Sequence, residues 1–323
     1  MTKPRDFMGP YRMARLIRAG HACLVWEAVN EKKSDRVPDE RVALKMLRVE
    51  KVRDREELGA LKHEFEVTRE LNHPNIIRVY DFETQYQAPF LVMELYSALN
   101  LKLVLREGPE PLAWVAEKII HQSCHALHYL HEKGWVHCDI KPDNMLVDDD
   151  GNLKLIDFTI AQRPKKRDLF GFLKPKGTVR GTRSYMSPEQ IRGKTLDGRS
   201  DVYELGCVIF ELLSGRPPYT GSSPNDLLEK HIKSSVPSVV VYNKEVTREC
   251  ADLLRRMMAK KPESRPQTMW DALQDFKDVR IFNKKPQPPK VKLSEMDVGP
   301  ITDTDSLKNL PHARTSDEDQ QEG

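Results

Sequence analysis

The chain has 323 residues, 39% of them hydrophobic and 31% charged, with 52 Lys and Arg against 49 Asp and Glu for a net charge of +3. That is enough chain to bury a sizeable core. The balance is too even to make nucleic acid or a membrane surface the main partner. Five cysteines without C-x-x-C spacing argue against a disulfide or zinc framework and for a reducing, cytoplasmic setting.

The beginning, "MTKPRDFMGPYRM", lacks the apolar core of a secretion signal. The most apolar window, "VYELGCVIFELL", is broken by Glu204 and Glu211, so no membrane span is expected. In chain order, "RMARLIRA", "CLVWEAVN", "RVALKMLRV" and "PFLVMEL" read as strands divided by polar turns. Between the third and fourth, Leu58, Leu61, Phe65 and Thr68 recur at helical spacing. They predict a helix from about Arg53 to Leu71, stopped by "NHPN" with Pro74. After Tyr96 the pattern turns helical. "PLAWVAEKIIHQSCHALHYLHEKG" carries Leu112, Val115, Ile119, Leu127 and Leu130 on one face and stops at Gly134. "SDVYELGCVIFELLSG" is apolar almost all round, as a buried helix is, with Ser200 as expected N-cap and Gly215 as C-terminal cap. "EVTRECADLLRRMMAKKPESRP" and "TMWDALQDF" continue the helical part. From about Asn283, "NKKPQPPKVK" and then a polar, acidic end read as a disordered tail. The expected organisation is a lead at 1–10, a small sheet-rich domain at 11–96, a larger helical domain at 97–282 and the tail at 283–323.

The chemistry concentrates in "WVHCDIKPDNMLVDDDGNLKLIDFT", from Trp135 to Thr159. "MLVDDDGNLKLI" reads as a hairpin with its turn at Asp150-Gly151, which folds Asn144 and Asp157 back together. An amide oxygen and a carboxylate in one space make a hard oxygen site suited to Mg²⁺ that is already bound to phosphates. Asp139, just before them, is placed to accept a hydroxyl proton.

"HCDIKPDN" followed by "DF" strongly resembles the catalytic loop and metal motif of the eukaryotic-type (Hanks-type) Ser/Thr protein kinases, H-R-D-x-K-P-x-N and D-F-G. "VALK" at 42–45, "NHPNI", "FLVMEL", "GTRSYMSPE" and "PESRP" fit the same family, so the resemblance runs from about residue 11 to 275. "NHPNIIRVYDF" and "YMSPEQ" look closest to its bacterial members.

The resemblance implies an α+β, two-lobed fold: an antiparallel sheet lobe with one main helix, then a larger, mostly helical lobe. It implies transfer of the γ-phosphate of Mg-ATP to a Ser or Thr hydroxyl of a protein, the chain itself included. Asp139 would be the base, Lys141 would steady the γ-phosphate, and Asn144 and Asp157 would hold Mg²⁺. Lys45 would grip the α- and β-phosphates, with Glu64 as its ion-pair partner. Glu66, the rival for that pairing, lies off the Leu58/Leu61/Phe65 face. Ile17, Gly20, Val25, Ala43, Met93 and Leu146 would line the nucleotide site, with backbone groups of Glu94 and Tyr96 at the adenine edge. Thr182 would line the substrate site, Glu189 would pair with Arg265, and Asp201 would tie down the catalytic-loop backbone. The pattern carries no signal for an oligomeric state.

Four positions depart from the family. The glycine-rich loop G-x-G-x-x-G becomes "RAGHAC", keeping Gly20 but placing Arg18 and Cys23 at the outer glycines. Cys138 replaces the arginine that usually pairs with a phosphate on the activation segment, so regulation by that route is not expected. Thr159 replaces the metal-motif glycine, which predicts a stiffer loop with its metal ligand intact. Cys23 and Cys138 raise a redox switch beside the ordinary reading of small packing residues. Arg163, Lys165, Lys166, Arg167, Lys174, Lys176, Arg180 and Arg183 make the activation segment basic, as a solvated loop or as a dock for an acidic substrate or for the tail at Asp317 to Asp319. Thr178, Thr302, Thr304, Ser306, Thr315 and Ser316 are candidate acceptors. A pseudokinase scaffold, binding partners with weak or no catalysis, is the alternative that these departures raise.

Overall fold

A computed structural model describes residues 7–32, 34–37, 40–164 and 183–295. The chain folds as two compact units. One runs to Leu71 and takes in Ile77–Tyr96; the other holds Asn72–Ile76 and the described residues from Ser97 to Glu295.

The first unit is a six-stranded antiparallel sheet of β1 (Phe7–Met8), β2 (Tyr11–Ala19), β3 (Cys23–Asn30), β4 (Arg41–Leu47), β5 (Val79–Gln85) and β6 (Ala88–Glu94), in the order β1-β2-β3-β4-β6-β5. Strand alternation sends Leu24, Trp26, Ala28, Val42, Leu44, Met46, Phe90 and Val92 into one core, joined by Met8 and Tyr11. Burying each such aliphatic or aromatic side chain stabilises the sheet by about 1.5–3 kcal/mol. The lead expected at 1–10 is corrected by this core: Met8 is fully buried and β1 pairs with β2. β5, "VYDFETQ", carries no clean alternation and was not expected as a strand; β6 supplies its pairing. The opposite register carries Val25↔Lys45, Ala43↔Met93 and Lys45↔Leu91.

One long helix, α1 (Arg55–Thr68), packs in this unit. It starts two residues later than expected, because the Asp54 side chain accepts from the N–H groups of Glu56 and Glu57. Leu61, Glu64, Val67 and Thr68 form its buried face.

The second unit contains a three-stranded sheet, β7 (Leu99–Asn100), β8 (Met145–Val147) and β9 (Leu153–Leu155), and the helices α2 (Leu101–Val104), α3 (Glu110–Ala113), α4 (Ala116–Glu132), α5 (Pro188–Ile191), α6 (Gly198–Ser214), α7 (Pro224–Lys233), α8 (Arg248–Met257) and α9 (Met269–Asp278). The single helix expected across 111–134 is two, parted at Trp114 and Val115, where Val115 leaves helical geometry (φ −109°, ψ 3°). The expected N-cap of α6 moves as well. Asp197 caps it by accepting from Arg199 N, while Ser200 turns its hydroxyl to Glu189 at 2.8 Å. Gly215 closes α6 in the left-handed region (φ +73°), where a Cβ would also meet Pro109 at 2.8 Å.

The tail expected from 283 begins later than that. Through residue 295 the chain is placed: Leu293 is buried, and Ser294 gives its N–H (2.8 Å) and hydroxyl (2.6 Å) to the Asp149 carboxylate in the β8–β9 turn. One apolar anchor and one carboxylate are enough to hold a Pro- and Lys-rich segment whose composition alone argues for disorder. The remaining tail, with its acidic end and Thr302 to Ser316, lies outside the described residues, as do Lys165 to Thr182, including Thr178. No helix among the described residues is long and apolar enough to cross a membrane.

Candidate active site

In the sheet unit, Lys45 lies mid-strand on β4 and faces away from the aliphatic core. Its Nζ is 2.6 Å from Glu64 Oε2 on α1. Glu64 is nearly fully buried and Lys45 mostly so, so each charge depends on the other: removing either partner would leave a buried ion uncompensated. Glu66, beside the buried Val67, is itself exposed and meets Arg69 at 3.4 Å.

Met93 is buried and paired with Ala43 across β4 and β6. The N–H of Glu94 donates to Arg78 O (2.9 Å) and its carboxylate accepts from Arg78 N (3.0 Å). The backbone donor at Glu94 is therefore engaged within this unit.

The β2–β3 turn closes on itself. Gly20 N donates to Cys23 O (2.8 Å), Gly20 O accepts from Arg48 Nε (2.8 Å), and Ala22 O accepts from Arg48 N (2.8 Å). Gly20 does not take a positive φ. Its value lies in close approach, since a Cβ there would stand 3.1 Å from Cys23 O. Ile17 sits at a bulge between Leu16 and Arg18, opposite the Trp26–Val25 step of β3.

In the helical unit, the loop from Val136 to Asn144 hangs on buried carboxylates of α6. Asp201 takes the N–H groups of His137 and Cys138, both at 2.9 Å, and meets His131 Nε2 at 2.8 Å. Glu204, one turn along, takes Ile140 N at 2.8 Å. Burial, with Asp201 beside it, pushes the Glu204 carboxyl well above the usual carboxylate range. His137 is fully buried against Phe158, ring centroids 4.8 Å apart, and accepts Asp139 N through Nδ1 at 3.3 Å. Burial holds its imidazole below the ordinary histidine value, in the neutral form this acceptor role requires.

These bonds set Asp139 among cationic and amide donors. Lys141 Nζ is 2.7 Å from Asp139 Oδ2, and Asn144 Nδ2 donates to Asp139 O (3.0 Å) and Oδ2 (3.1 Å). Ile156 N donates to Asn144 O at 3.0 Å, so the hairpin of β8 and β9 does bring Asn144 to the residue before Asp157. Leu146 occupies the centre of β8, opposite Lys154. Asp157 stands at φ +67° and accepts from Thr159 Oγ1 at 2.8 Å. The second amide atom of Asn144, Oδ1, is buried without a hydrogen-bond partner among the described residues. An orphaned buried acceptor costs about 1–3 kcal/mol, which a ligand of matching chemistry would relieve.

Cys138 stands in the left-handed region at φ +67°. Three groups hold it: Asp201 at its N–H, Gln190 Nε2 on its carbonyl (2.7 Å) and Gln162 Nε2 against its sulfur (3.4 Å). Burial raises its thiol far above the ordinary value, which removes it as a redox-reactive thiolate. Glu189 and Arg265 pair through two bonds, 2.7 and 2.9 Å. Of the basic activation segment, Arg163 and Arg183 are described, and the Arg163 guanidinium lies 4.4 Å over the Trp135 ring. Thr182 lies outside the described residues. A cavity of about 550 Å³ lined by His128, His131, Trp135, Met269 and Trp270 holds none of the predicted site residues.

Sequence reasoning missed Glu204, Glu211, Gln162 and Gln190. Glu211 is buried, takes Lys102 at 2.6 Å and Tyr185 Oη at 2.6 Å, and had been read only as an interruption of an apolar window. A signal was present: three acids at 201, 204 and 211 share one face of a helix that is otherwise apolar all round.

A protein-kinase-domain profile matches residues 11–276. The serine/threonine-protein kinase PknB of Mycobacterium tuberculosis is 35% identical over 256 residues, 77% of this chain and 40% of that protein. The serine/threonine-protein kinase PrkC of Bacillus subtilis is 33% identical over 280 residues, 86% of this chain and 42% of its own length. The chain thus spans about two-fifths of these relatives. A match over most of the chain, on a sheet unit and a helical unit of this topology, makes it a member of the protein kinase family.

Proposed function

We propose that this chain transfers the γ-phosphate of Mg-ATP to a serine or threonine hydroxyl of a protein. The observation that carries the reading is the Asp139–Lys141–Asn144 cluster, in which one carboxylate is fixed by a lysine and an amide. In the step proposed, the acceptor oxygen attacks the γ-phosphorus, the bond to the β-phosphate oxygen breaks, ADP leaves, and the hydroxyl proton goes to Asp139. Lys141, now on Asp139, is the cation that would balance the transferring phosphoryl group. Lys45, held by Glu64, would take the α- and β-phosphates.

Kinases of this family use ATP and Mg²⁺. The orphaned Asn144 Oδ1 and the Asp157 carboxylate are hard oxygen donors, few in number, as suits an ion that keeps most of its ligands from phosphate and water. Asn144 and Asp157 would hold it, and it would supply charge neutralisation on the phosphates. Ile17, Gly20, Val25, Ala43, Met93 and Leu146 would line the base and ribose, with Glu94 and Tyr96 at the adenine edge through their backbones. Relatives that are named protein kinases support a protein acceptor. Anchoring of Cys138 by Asp201 and the two glutamines supports a catalytic loop that is set without an arginine–phosphate pair.

Radiolabelled transfer from Mg-ATP, comparing the natural chain with Asp139→Asn, tests this. Label on the protein or on a basic protein acceptor should fall at least a hundredfold in the variant. No transfer by either protein, with no rise in melting temperature on adding Mg-ATP, would sink the reading in favour of a scaffold.

A further inference from the structure

Thr159 stands where the family carries glycine, and its hydroxyl is engaged. Oγ1 donates to Asp157 Oδ1 at 2.8 Å. Asp157 itself sits at φ +67°, where a non-glycine residue is held only if its surroundings over-determine it. Phe158, between the two, is fully buried against His137 and anchors the segment from the other side. A glycine at 159 would have no side-chain group with which to hold the carboxylate. A β-branched threonine offers a hydroxyl with restricted χ1, hence a donor whose direction is fixed.

We propose that Thr159 is a positioning residue for the metal ligand. Its hydroxyl fixes the plane of the Asp157 carboxylate, so that the second oxygen is presented to Mg²⁺ in one orientation. The inference rests on the proposed reading of Asp157 as a magnesium ligand. The substitution from glycine then has a function: it replaces a mobile metal loop by one in which the ligand is prepared before the ion arrives. Partners that orient a metal ligand typically contribute 10- to 100-fold to metal affinity. For a hydrated ion held by few protein ligands, the lower end, about tenfold, is expected.

The test uses the full chain and three variants: Thr159→Ser keeps the hydroxyl, Thr159→Val keeps the shape without it, and Thr159→Gly restores the family residue. ATP affinity is measured by calorimetric titration without metal and across a MgCl₂ series, and circular dichroism melting checks that each variant folds. The half-saturating Mg²⁺ concentration should rise about tenfold in both Val and Gly variants. It should stay within about twofold in the Ser variant, with metal-free ATP affinity unchanged throughout. A change of side-chain bulk alone would move Gly and leave Val, which keeps the shape, unmoved, so a rise in only one of them overturns the proposal. So do wild-type behaviour in Val and Gly, a loss in Ser, or tighter Mg²⁺ coupling in Gly. If the natural chain shows no Mg²⁺-dependent gain in ATP affinity, the reading of Asp157 fails and the proposal with it. That outcome differs from one in which the natural chain responds and the variants match it.

Discussion

Three of the four departures from the family lie in or beside two short segments, and these are built in opposite ways. The catalytic loop from Val136 to Asn144 is over-determined: Asp201, Glu204, His137 and Gln190 each hold a backbone group of it, and most of these are buried. The β2–β3 turn, flanked by Arg18 and Cys23, closes on the bond from Gly20 N to Cys23 O and on Arg48, with His21 exposed. At Cys138 the groups that matter are the peptide N–H and carbonyl, which any residue supplies, so the change from arginine leaves the loop geometry supported. Beside the turn, on the proposed function, the side chains themselves would decide how closely a phosphate can approach, so Arg18 and Cys23 would weigh directly on the ligand. A motif substitution is to be judged by whether its site uses backbone or side chain.

The contrast can be broken first at the base of α6. Arg265 is buried on Glu189, which also takes the Ser200 hydroxyl. Arg265→Leu leaves that carboxylate buried and unpaired, at a cost of about 3–5 kcal/mol, readable as a lower urea midpoint. Glu189→Gln should cost a similar amount, since it leaves the Arg265 guanidinium buried opposite a neutral amide. Burial alone would raise the Glu189 carboxyl, but Arg265 and Ser200 outweigh it and hold it below the usual value. The pair's stabilisation is therefore present above the ordinary glutamate pKa and is lost as pH falls through the lowered one.

Next in size is acid sensitivity from buried histidines. His231 accepts or donates at Tyr203 Oη (2.9 Å), and burial lowers it from 6.5 to about 4. The unfolded chain binds the extra proton between those values, so stability falls as pH drops from 6.5 towards 4, by roughly 3 kcal/mol from this group. His137 acts in the same direction. Unfolding midpoints across that range should flatten in His231→Phe; an unchanged slope would remove His231 as the source.

Asp201→Asn is milder. Its amide nitrogen would face a backbone N–H of His137 or Cys138, leaving one donor unpaired for about 1–3 kcal/mol. Because the loop positions Asp139, the loss in transfer rate should exceed what the change in folded fraction explains. The smallest effect belongs to the end of β2 beside the turn: Arg18→Gly should cost about 0.5–1 kcal/mol, yet change the Michaelis constant for ATP. Equal stability losses in Arg18→Gly and Asp201→Asn would erase the distinction between the two segments.

Local sequence determined a good deal. Period-2 runs marked β2, β3, β4 and β6, period-3.6 runs marked α1, α4 and α6, and Gly215 marked a helix end, because these signals rest on neighbours within one or two turns. The spacing of Asp139, Asn144 and Asp157 around a hairpin was legible for the same reason, and helical phase preferred Glu64 to Glu66. Only the tertiary structure decided which polar groups meet. Asp197 displaced Ser200 as N-cap because Glu189 claimed the serine hydroxyl. Glu204 found Ile140 N across 64 positions of sequence, and Ser294 found Asp149 across 145. Whether a buried acid interrupts a helix or holds a loop depends on a partner brought near by packing, and no local period encodes that partner.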